Sequence, residues 1–230
     1  MKKVLLSVAA MVAFGFAGHA QVSFIPKAGI TFSNVAVKEK EDNQKSNLAM
    51  VAGFGINLPI SEDGFFSVQP ELLYIQKGVK YEEDGNYIKT SFNHIELPVL
   101  AKVSFGSDAF KAYVNAGPSF AYNMGGKTTL KFNDEKESMK LRFADKEDTD
   151  EISYIDPEYS NRTDFGVQFG GGLGFQAGPG MLLLDVRYGL GLTNFEKTPE
   201  KLPVGVTKED YKSQNRVVAI SIGYAIPLGN

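Results

Sequence analysis

The sequence predicts an all-β fold, an eight-stranded antiparallel up-and-down barrel, on three observations. Eight segments alternate between apolar residues on one face and polar or small residues on the other, the period-two pattern of a two-faced strand. The connections between these segments alternate between short and long along the chain. The chain starts with an export signal and contains no cysteine, so an exported fold must be stabilised without disulfides.

The alternation is clearest where Phe165, Val167 and Phe169 share a face and Asp164 and Gly166 lie opposite them. Aromatic, β-branched and leucine residues fill the apolar faces, while glycine, small polar residues and isolated charges fill the others. The predicted strands cover residues 24–32, 48–58, 66–74, 94–105, 110–117, 164–177, 182–193 and 218–228.

The connections carry independent information about the fold. Three are tight turns, at residues 61–64, 106–109 and 177–180. The others are longer, at residues 34–47, 80–86, 125–162 and 194–212. Short periplasmic turns alternating with long external loops are typical of barrels in the outer membrane, and an even strand count then places both termini in the periplasm.

Residues 1–20 are predicted to be a signal peptide, and residues 21–230 the barrel domain. Lys2 and Lys3 give the positive start, residues 4–16 are largely apolar, and small residues precede the cleavage site at Ala20. The remainder has no apolar run of about 18 residues, the length that a transmembrane helix needs. Only a closed barrel could then cross a membrane, so we predict a transmembrane barrel.

In a membrane barrel the apolar face points to lipid and the polar face lines the lumen. Eight strands leave an interior that side chains can fill, so we expect a plugged polar lumen and no open pore. The predicted lumen network contains charged residues of both signs and one histidine: Lys27, Glu71, His94, Glu96, Lys102, Lys111, Asp185 and Arg187.

Two groups of titratable residues could instead form a catalytic or metal-binding site. His94 and Glu96, joined by Glu71, could form a metal site or an acid–base pair, but a hydrogen-bonded polar core is the favoured interpretation. The acidic residues between 145 and 151 could bind calcium, yet they lack the spacing of an EF-hand loop, and a solvated external loop is favoured. No basic stretch indicates nucleic acid, and no cofactor is expected.

Several segments carry a family resemblance: residues 70–74 (PELLY), 95–100 (IELPVL) and 117–120 (GPSF), with the glycine-rich strand at 164–177. In their order and spacing they resemble the PorT-like outer-membrane β-barrels of Bacteroidetes, over the chain from about Phe24 to its end. The resemblance implies a small, porin-like, eight-stranded barrel in the outer membrane of a Gram-negative cell.

Three functional hypotheses follow. The first is a non-enzymatic outer-membrane barrel with a structural or surface-interaction role, its long external loops contacting a surface ligand or protein. Its expected partners include outer-membrane lipid and the barrel-assembly machinery. The second is an outer-membrane enzyme, for which His94 is the only usable histidine. The third is a soluble periplasmic barrel that binds a small ligand, with its apolar face turned inward.

Overall fold

The structure is a computed structural model that describes residues 21–37, 42–143, 154–156, 158–199, 207 and 212–229. The predicted signal peptide and the acidic residues between 145 and 151 lie outside the described residues. Among those described, no helix has the length and apolar character needed to cross a membrane.

The described residues form ten strands, most of them longer than the alternation predicts. Their bounds are β1 Ser23–Ala36, β2 Gln44–Pro59, β3 Phe66–Glu83, β4 Asn86–Gly106, β5 Phe110–Phe132, β6 Glu135–Phe143, β7 Tyr154–Ile155, β8 Thr163–Ala177, β9 Gly180–Gly191 and β10 Gln214–Pro227.

Eight of these strands close into a ring. Each pairs antiparallel with its neighbours in the order β1, β2, β3, β4, β5, β8, β9, β10, and β10 pairs again with β1. The ring leaves none of its eight strands as a free edge, so neighbouring strands satisfy one another's backbone groups along the barrel wall. The predicted eight-stranded antiparallel up-and-down barrel is therefore confirmed.

The side chains alternate between the two sides of this ring as predicted. Leu184 and Val186 on β9 expose more than two fifths of their surface, whereas the alternate residues Leu183 and Asp185 are buried. The exposed face carries large apolar residues on every ring strand, and nearly all of the buried charged residues point inward. The soluble alternative required an inward apolar face, and this arrangement is the opposite.

Four strands continue beyond the ring at one end. β5 pairs with β8 up to Tyr122 and then with β6 from Gly126 onward. At the change of partner, Phe92 and His94 of β4 face Gly126 and Asn123 of β5, so β5 contains an extra residue. Gly125 lies at this irregularity with a φ of 112°, a conformation that glycine adopts without strain.

We call the part beyond this point the sheet extension: residues 44–46 of β2, 77–83 of β3, 86–92 of β4, 126–132 of β5 and 135–141 of β6. We call this end of the barrel the extension end. The other end, where the connections at residues 60–65, 107–109 and 178–179 lie, is called the turn end. Residues 128–132 and 139–143, within the long connection at 125–162, also alternate apolar and polar residues, which predicts a hairpin. β5 and β6 form that hairpin.

Two of the predicted long connections are shorter in the structure. The prediction of a long connection at residues 80–86 is wrong. β3 and β4 pair as far as Glu83 and Asn86, so only Asp84 and Gly85 form the turn. Both turn residues have positive φ values, 48° and 81°, as a tight two-residue hairpin requires. The connection predicted at residues 34–47 is also reduced, because β1 reaches Ala36 and β2 starts at Gln44.

Candidate functional site

The centre of the lumen is crossed by an ion-paired cluster. Arg187 of β9 donates two hydrogen bonds to Glu71 of β3, at 2.6 Å to Oε2 and 2.9 Å to Oε1. β3 and β9 stand opposite each other, four places apart in the ring of eight. The guanidinium therefore reaches straight across the barrel to a carboxylate on the far wall, in the two-pronged geometry that arginine favours.

Neighbouring strands add charges to the same centre. Lys27 of β1 lies 3.1 Å from Glu71 Oε1 and 3.6 Å from Asp185 Oδ1. Arg187 Nε lies 2.7 Å from that Asp185 oxygen. All four side chains are buried, and two cations face two anions, so the charges are paired away from bulk water as buried charges must be.

On the side of the turn end, aromatic and amide groups cover this cluster. Tyr113 of β5 donates a hydrogen bond of 3.0 Å to Asp185 Oδ2. Lys102 of β4 donates to Gln69 Oε1 at 3.2 Å, and its Nζ lies 4.2 Å from the centre of the Tyr113 ring. The lysine is thus held by an amide oxygen and an aromatic face in place of a direct carboxylate contact.

A second cluster lies nearer the extension end. Lys77 of β3 lies 3.1 Å from Glu96 Oε1 and 3.6 Å from Asp164 Oδ2. Asn215 of β10 donates a hydrogen bond of 2.9 Å to the same Asp164 oxygen. His94 is buried beside it, with Nδ1 3.3 Å from the Phe92 carbonyl oxygen.

A cavity of about 40 Å³ separates the two clusters. Lys27, Asp185 and Arg187 line one side, and Lys77, Glu96 and Asp164 line the other. Glu96 Oε2 and Asp164 Oδ1 are buried without a hydrogen-bond partner among the described residues. Aliphatic side chains of Val51, Leu73 and Ile75 also line this space, and its size is enough for water molecules beside the two carboxylates, which would supply the missing hydrogen bonds.

The structure brings together most, but not all, of the residues predicted for the lumen. Lys27, Glu71, Asp185 and Arg187 form the central cluster, with Lys102 beside it, and Glu96 and His94 lie in the second cluster. Lys111 is separate: it is half-buried and lies at the turn-end mouth of the barrel, with Asp108 and Gln176.

Sequence reasoning missed two charged residues of the second cluster. Lys77 is reached by continuing the alternation of β3 inward from Glu71 through Leu73 and Ile75. The predicted strand ended too early, at Tyr74, and therefore omitted it. Asp164 was placed on the polar face but was not included in the network. In the described residues, no three His, Cys, Asp or Glu side chains are placed to hold a metal ion together.

Segments outside the ring strands contact one another at the extension end of the barrel. Phe195, which follows β9, stacks on Phe92 with ring centres 4.8 Å apart. Its carbonyl oxygen accepts a hydrogen bond of 2.8 Å from the Asn161 amide, and its own amide donates to Ser213. The Arg162 guanidinium lies over both Tyr122 and Phe143, 4.9 Å and 4.5 Å from the ring centres. These contacts join the segment before β8 to the β9–β10 connection.

A closed ring with an apolar outer face and a charged, ion-paired interior defines the class of transmembrane β-barrels. The family model described as "Outer membrane protein beta-barrel domain" matches residues 16–197, most of the chain. The chain belongs to this family and is an outer-membrane β-barrel protein.

Solved structures of other small outer-membrane proteins are similar to this chain. OprG of Pseudomonas aeruginosa is 12% identical, with a TM-score of 0.45, and the match covers 93% of this chain and 99% of OprG. Neisserial surface protein A is 12% identical with a TM-score of 0.44, over 90% of this chain and 99% of that one.

The attachment invasion locus protein Ail of Yersinia pestis, solved in complex with the heparin analogue sucrose octasulfate, is 14% identical with a TM-score of 0.42. That match covers 90% of this chain and 99% of Ail. A search of curated protein sequences gives no match.

Proposed function

We propose that the protein is a non-enzymatic outer-membrane barrel whose lumen is plugged and whose work is done at its surface, by the extension end and its connecting segments. The observation that carries the proposal is the contact between Arg187 and Glu71, which spans the lumen at mid-height. Side chains that meet across a narrow barrel leave space for a few waters and none for a solute-sized path.

The proposal includes an orientation, with both termini in the periplasm and the sheet extension outside the cell. Ser23 and Pro227, in the first and last strands of the ring, pair at the turn end, where three short connections also lie. Short turns on the periplasmic side and long structures outside are the common pattern in this class. Lipid around the apolar face and the barrel-assembly machinery that inserts such chains are the partners this orientation implies.

A structural role for His94 supports the non-enzymatic part of the proposal. Only 3% of His94 is exposed, inside the lumen, and its Nδ1 lies 3.3 Å from the backbone carbonyl oxygen of Phe92. A catalytic histidine needs a substrate within hydrogen-bond reach. His94→Gln is therefore expected to change stability and to leave surface binding unaffected.

The barrel itself is tested by gel mobility of the protein from isolated outer membranes, boiled and unboiled, after a salt wash. A folded barrel is expected to stay with the membrane and to migrate differently before and after boiling. Release into the periplasmic fraction by salt, with no mobility difference, would contradict the proposal.

The plugged lumen is tested by conductance in planar lipid bilayers. The wild-type protein is expected to conduct little, and Glu71→Ala/Arg187→Ala, which removes both side chains that meet across the lumen, is expected to conduct more. Lys80→Ala/Glu82→Ala is the matched control, because it removes an ion pair from the sheet extension (3.0 Å) and leaves the lumen intact. Equal, large conductance of all three proteins would refute a plugged lumen.

A further inference from the structure

The sheet extension carries its lysines on one face. Residues directly opposite across two strands share a face, as do residues two apart along a strand. Lys45 lies opposite Lys80, and Lys80 lies opposite Lys89. On the next strands Lys127 lies opposite Lys140, and Lys131 opposite Lys136.

The two sets lie on the same side, because Lys89 is paired with Thr129, which sits between Lys127 and Lys131 along β5. We call this surface the lysine face: Lys45, Lys80, Lys89, Lys127, Lys131, Lys136 and Lys140. The carboxylates of β6, Glu135 and Glu137, alternate with Lys136 and therefore lie on the other face of the extension.

This arrangement opposes folding stability and so calls for an explanation outside folding. Like charges directly opposite each other in antiparallel strands are destabilising. Lys89 is partly buried and lies near the charge of Lys80. Its Nζ donates a hydrogen bond of 2.6 Å to the Leu48 carbonyl oxygen. Among the described residues, carboxylates neutralise only part of the face: Glu82 lies 3.0 Å from Lys80, and Asp134 lies 2.8 Å from Lys131.

The position of the lysine face indicates what covers it. Along β4, Lys89 lies on the same side of the strand as Ile95 and Leu97, which point outward on the ring. On β5 the last strongly exposed apolar residue before the lysines is Met124, three residues before Lys127. Three residues span about 10 Å of strand, so the lysines start where the apolar band gives way to lipid headgroups.

We propose that the lysine face binds an anionic glycolipid of the adjoining leaflet that carries more than one phosphate group. The inference rests on the proposed function, since it takes the apolar face to be in lipid. Successive lysine pairs rise along the strands, first Lys127 with Lys140, then Lys80 with Lys89, then Lys131 with Lys136. They can therefore meet phosphates at different heights above the hydrocarbon. Lysine clusters beside a membrane span attract anionic lipid in this way.

The test uses the full-length protein folded in detergent and titrated with diphosphorylated lipid A, with bound lipid read by native mass spectrometry. Lys127→Gln/Lys140→Gln is expected to bind about thirtyfold more weakly than wild type, at about fivefold per lysine lost. Lys127→Arg/Lys140→Arg keeps the charge and is the matched control, expected to bind as wild type does. Fully dephosphorylated lipid A is expected to bind wild type and both variants equally.

Three results would overturn the inference: equal binding of diphosphorylated lipid A by the glutamine variant and wild type, equal binding of the phosphorylated and dephosphorylated lipids by wild type, or tight binding of a soluble sulfated polysaccharide without binding of lipid A. The last would assign the face to a soluble polyanion. The boiled and unboiled gel is run on every variant. Normal mobility shifts combined with any of these results would refute the lysine-face inference alone, whereas loss of the shift in wild type would refute the barrel.

Discussion

At the scale of single residues, the lumen is held together by charges that depend on one another. Glu71 accepts hydrogen bonds from Arg187, Lys27 and Gln69, so three donors compensate for its removal from water. Pairing of this kind makes the cost of losing one partner larger than the benefit of having the pair, because the charge left behind stays buried.

Arg187→Met is therefore expected to destabilise the barrel by about 3–5 kcal/mol, measured by urea unfolding of protein folded into lipid vesicles. The double variant Glu71→Gln/Arg187→Met removes both charges and is expected to be more stable than Arg187→Met alone. If the double variant were less stable than the single one, Glu71 would not depend on Arg187 for its charge compensation.

The aromatic side chain of Tyr113 requires glycine at position 172, which faces the lumen. A methyl group on Gly172 would overlap the Tyr113 hydroxyl and the Leu184 carbonyl oxygen, whereas a methyl group on Gly189 would find its nearest neighbour at 3.8 Å. The Tyr113 ring thus occupies space that Gly172 leaves free, and this allows its hydroxyl to reach Asp185.

Gly172→Ala is expected to cost about 1–3 kcal/mol, as overpacked sites do, in the same urea unfolding experiment. Gly189→Ala is the control and is expected to be neutral or slightly stabilising, because alanine reduces the freedom of the unfolded chain. Equal effects of the two substitutions would show that the space beside Tyr113 is not limiting.

At the scale of elements, β5 serves two structures in succession. Its first half pairs with β8 in the ring and its second half with β6 in the sheet extension. The extra residue near Gly125 separates the halves, and bulges of this kind bend a strand and end one set of pairings. The extension is therefore the part of the wall that continues after β8 has left it.

Repulsion between Lys127 and Lys140 predicts that Lys140→Glu stabilises the β5–β6 hairpin. Backbone amides of the hairpin are expected to gain up to about fivefold in hydrogen-exchange protection at low salt, and less at high salt, where charges are screened. Glu137→Gln, on the opposite face and across from the uncharged Leu130, is expected to leave protection unchanged. Lower protection in Lys140→Glu would mean that the lysines do not repel each other.

At the scale of the whole molecule, the outer surface has two regions that differ in what they contact. The ring presents aliphatic and aromatic residues all around, and the extension presents lysines on the continuation of the same surface. A charge introduced into the first region must be buried in hydrocarbon, while one introduced into the second meets water or headgroups.

Val186→Arg, in the middle of β9, is accordingly expected to destabilise the folded barrel by about 2–4 kcal/mol. Ile88→Arg makes the same change at a similarly exposed residue, 42% against 46%, on the face of the extension opposite the lysines, where the new charge meets water. It is expected to cost at most about 1 kcal/mol. Unfolding in lipid vesicles measures both. Similar costs would place the two residues in the same environment.

The sequence alone determined which face each side chain takes. Alternation at Phe165 and Gly166, or at Ile95 and Glu96, is a property of neighbouring residues in a pleated strand, so it survives in any sheet that these strands form. The strand count, the three tight turns and the β5–β6 hairpin follow from the same local pattern. Errors arose where the pattern continued past the predicted strand ends, at Lys77 and in the expected loop at residues 80–86.

Only the tertiary structure decided which lumen residues meet. Glu71 and Arg187 are 116 residues apart, and their contact depends on the stagger between strands when the ring closes. The same closure leaves Lys111 at the turn-end mouth, although Lys111 lies on the same face of β5 as the buried Tyr113 and Asn115. The side-chain period of a strand fixes inward or outward, but height and angle around the lumen come from the pairing of all eight strands.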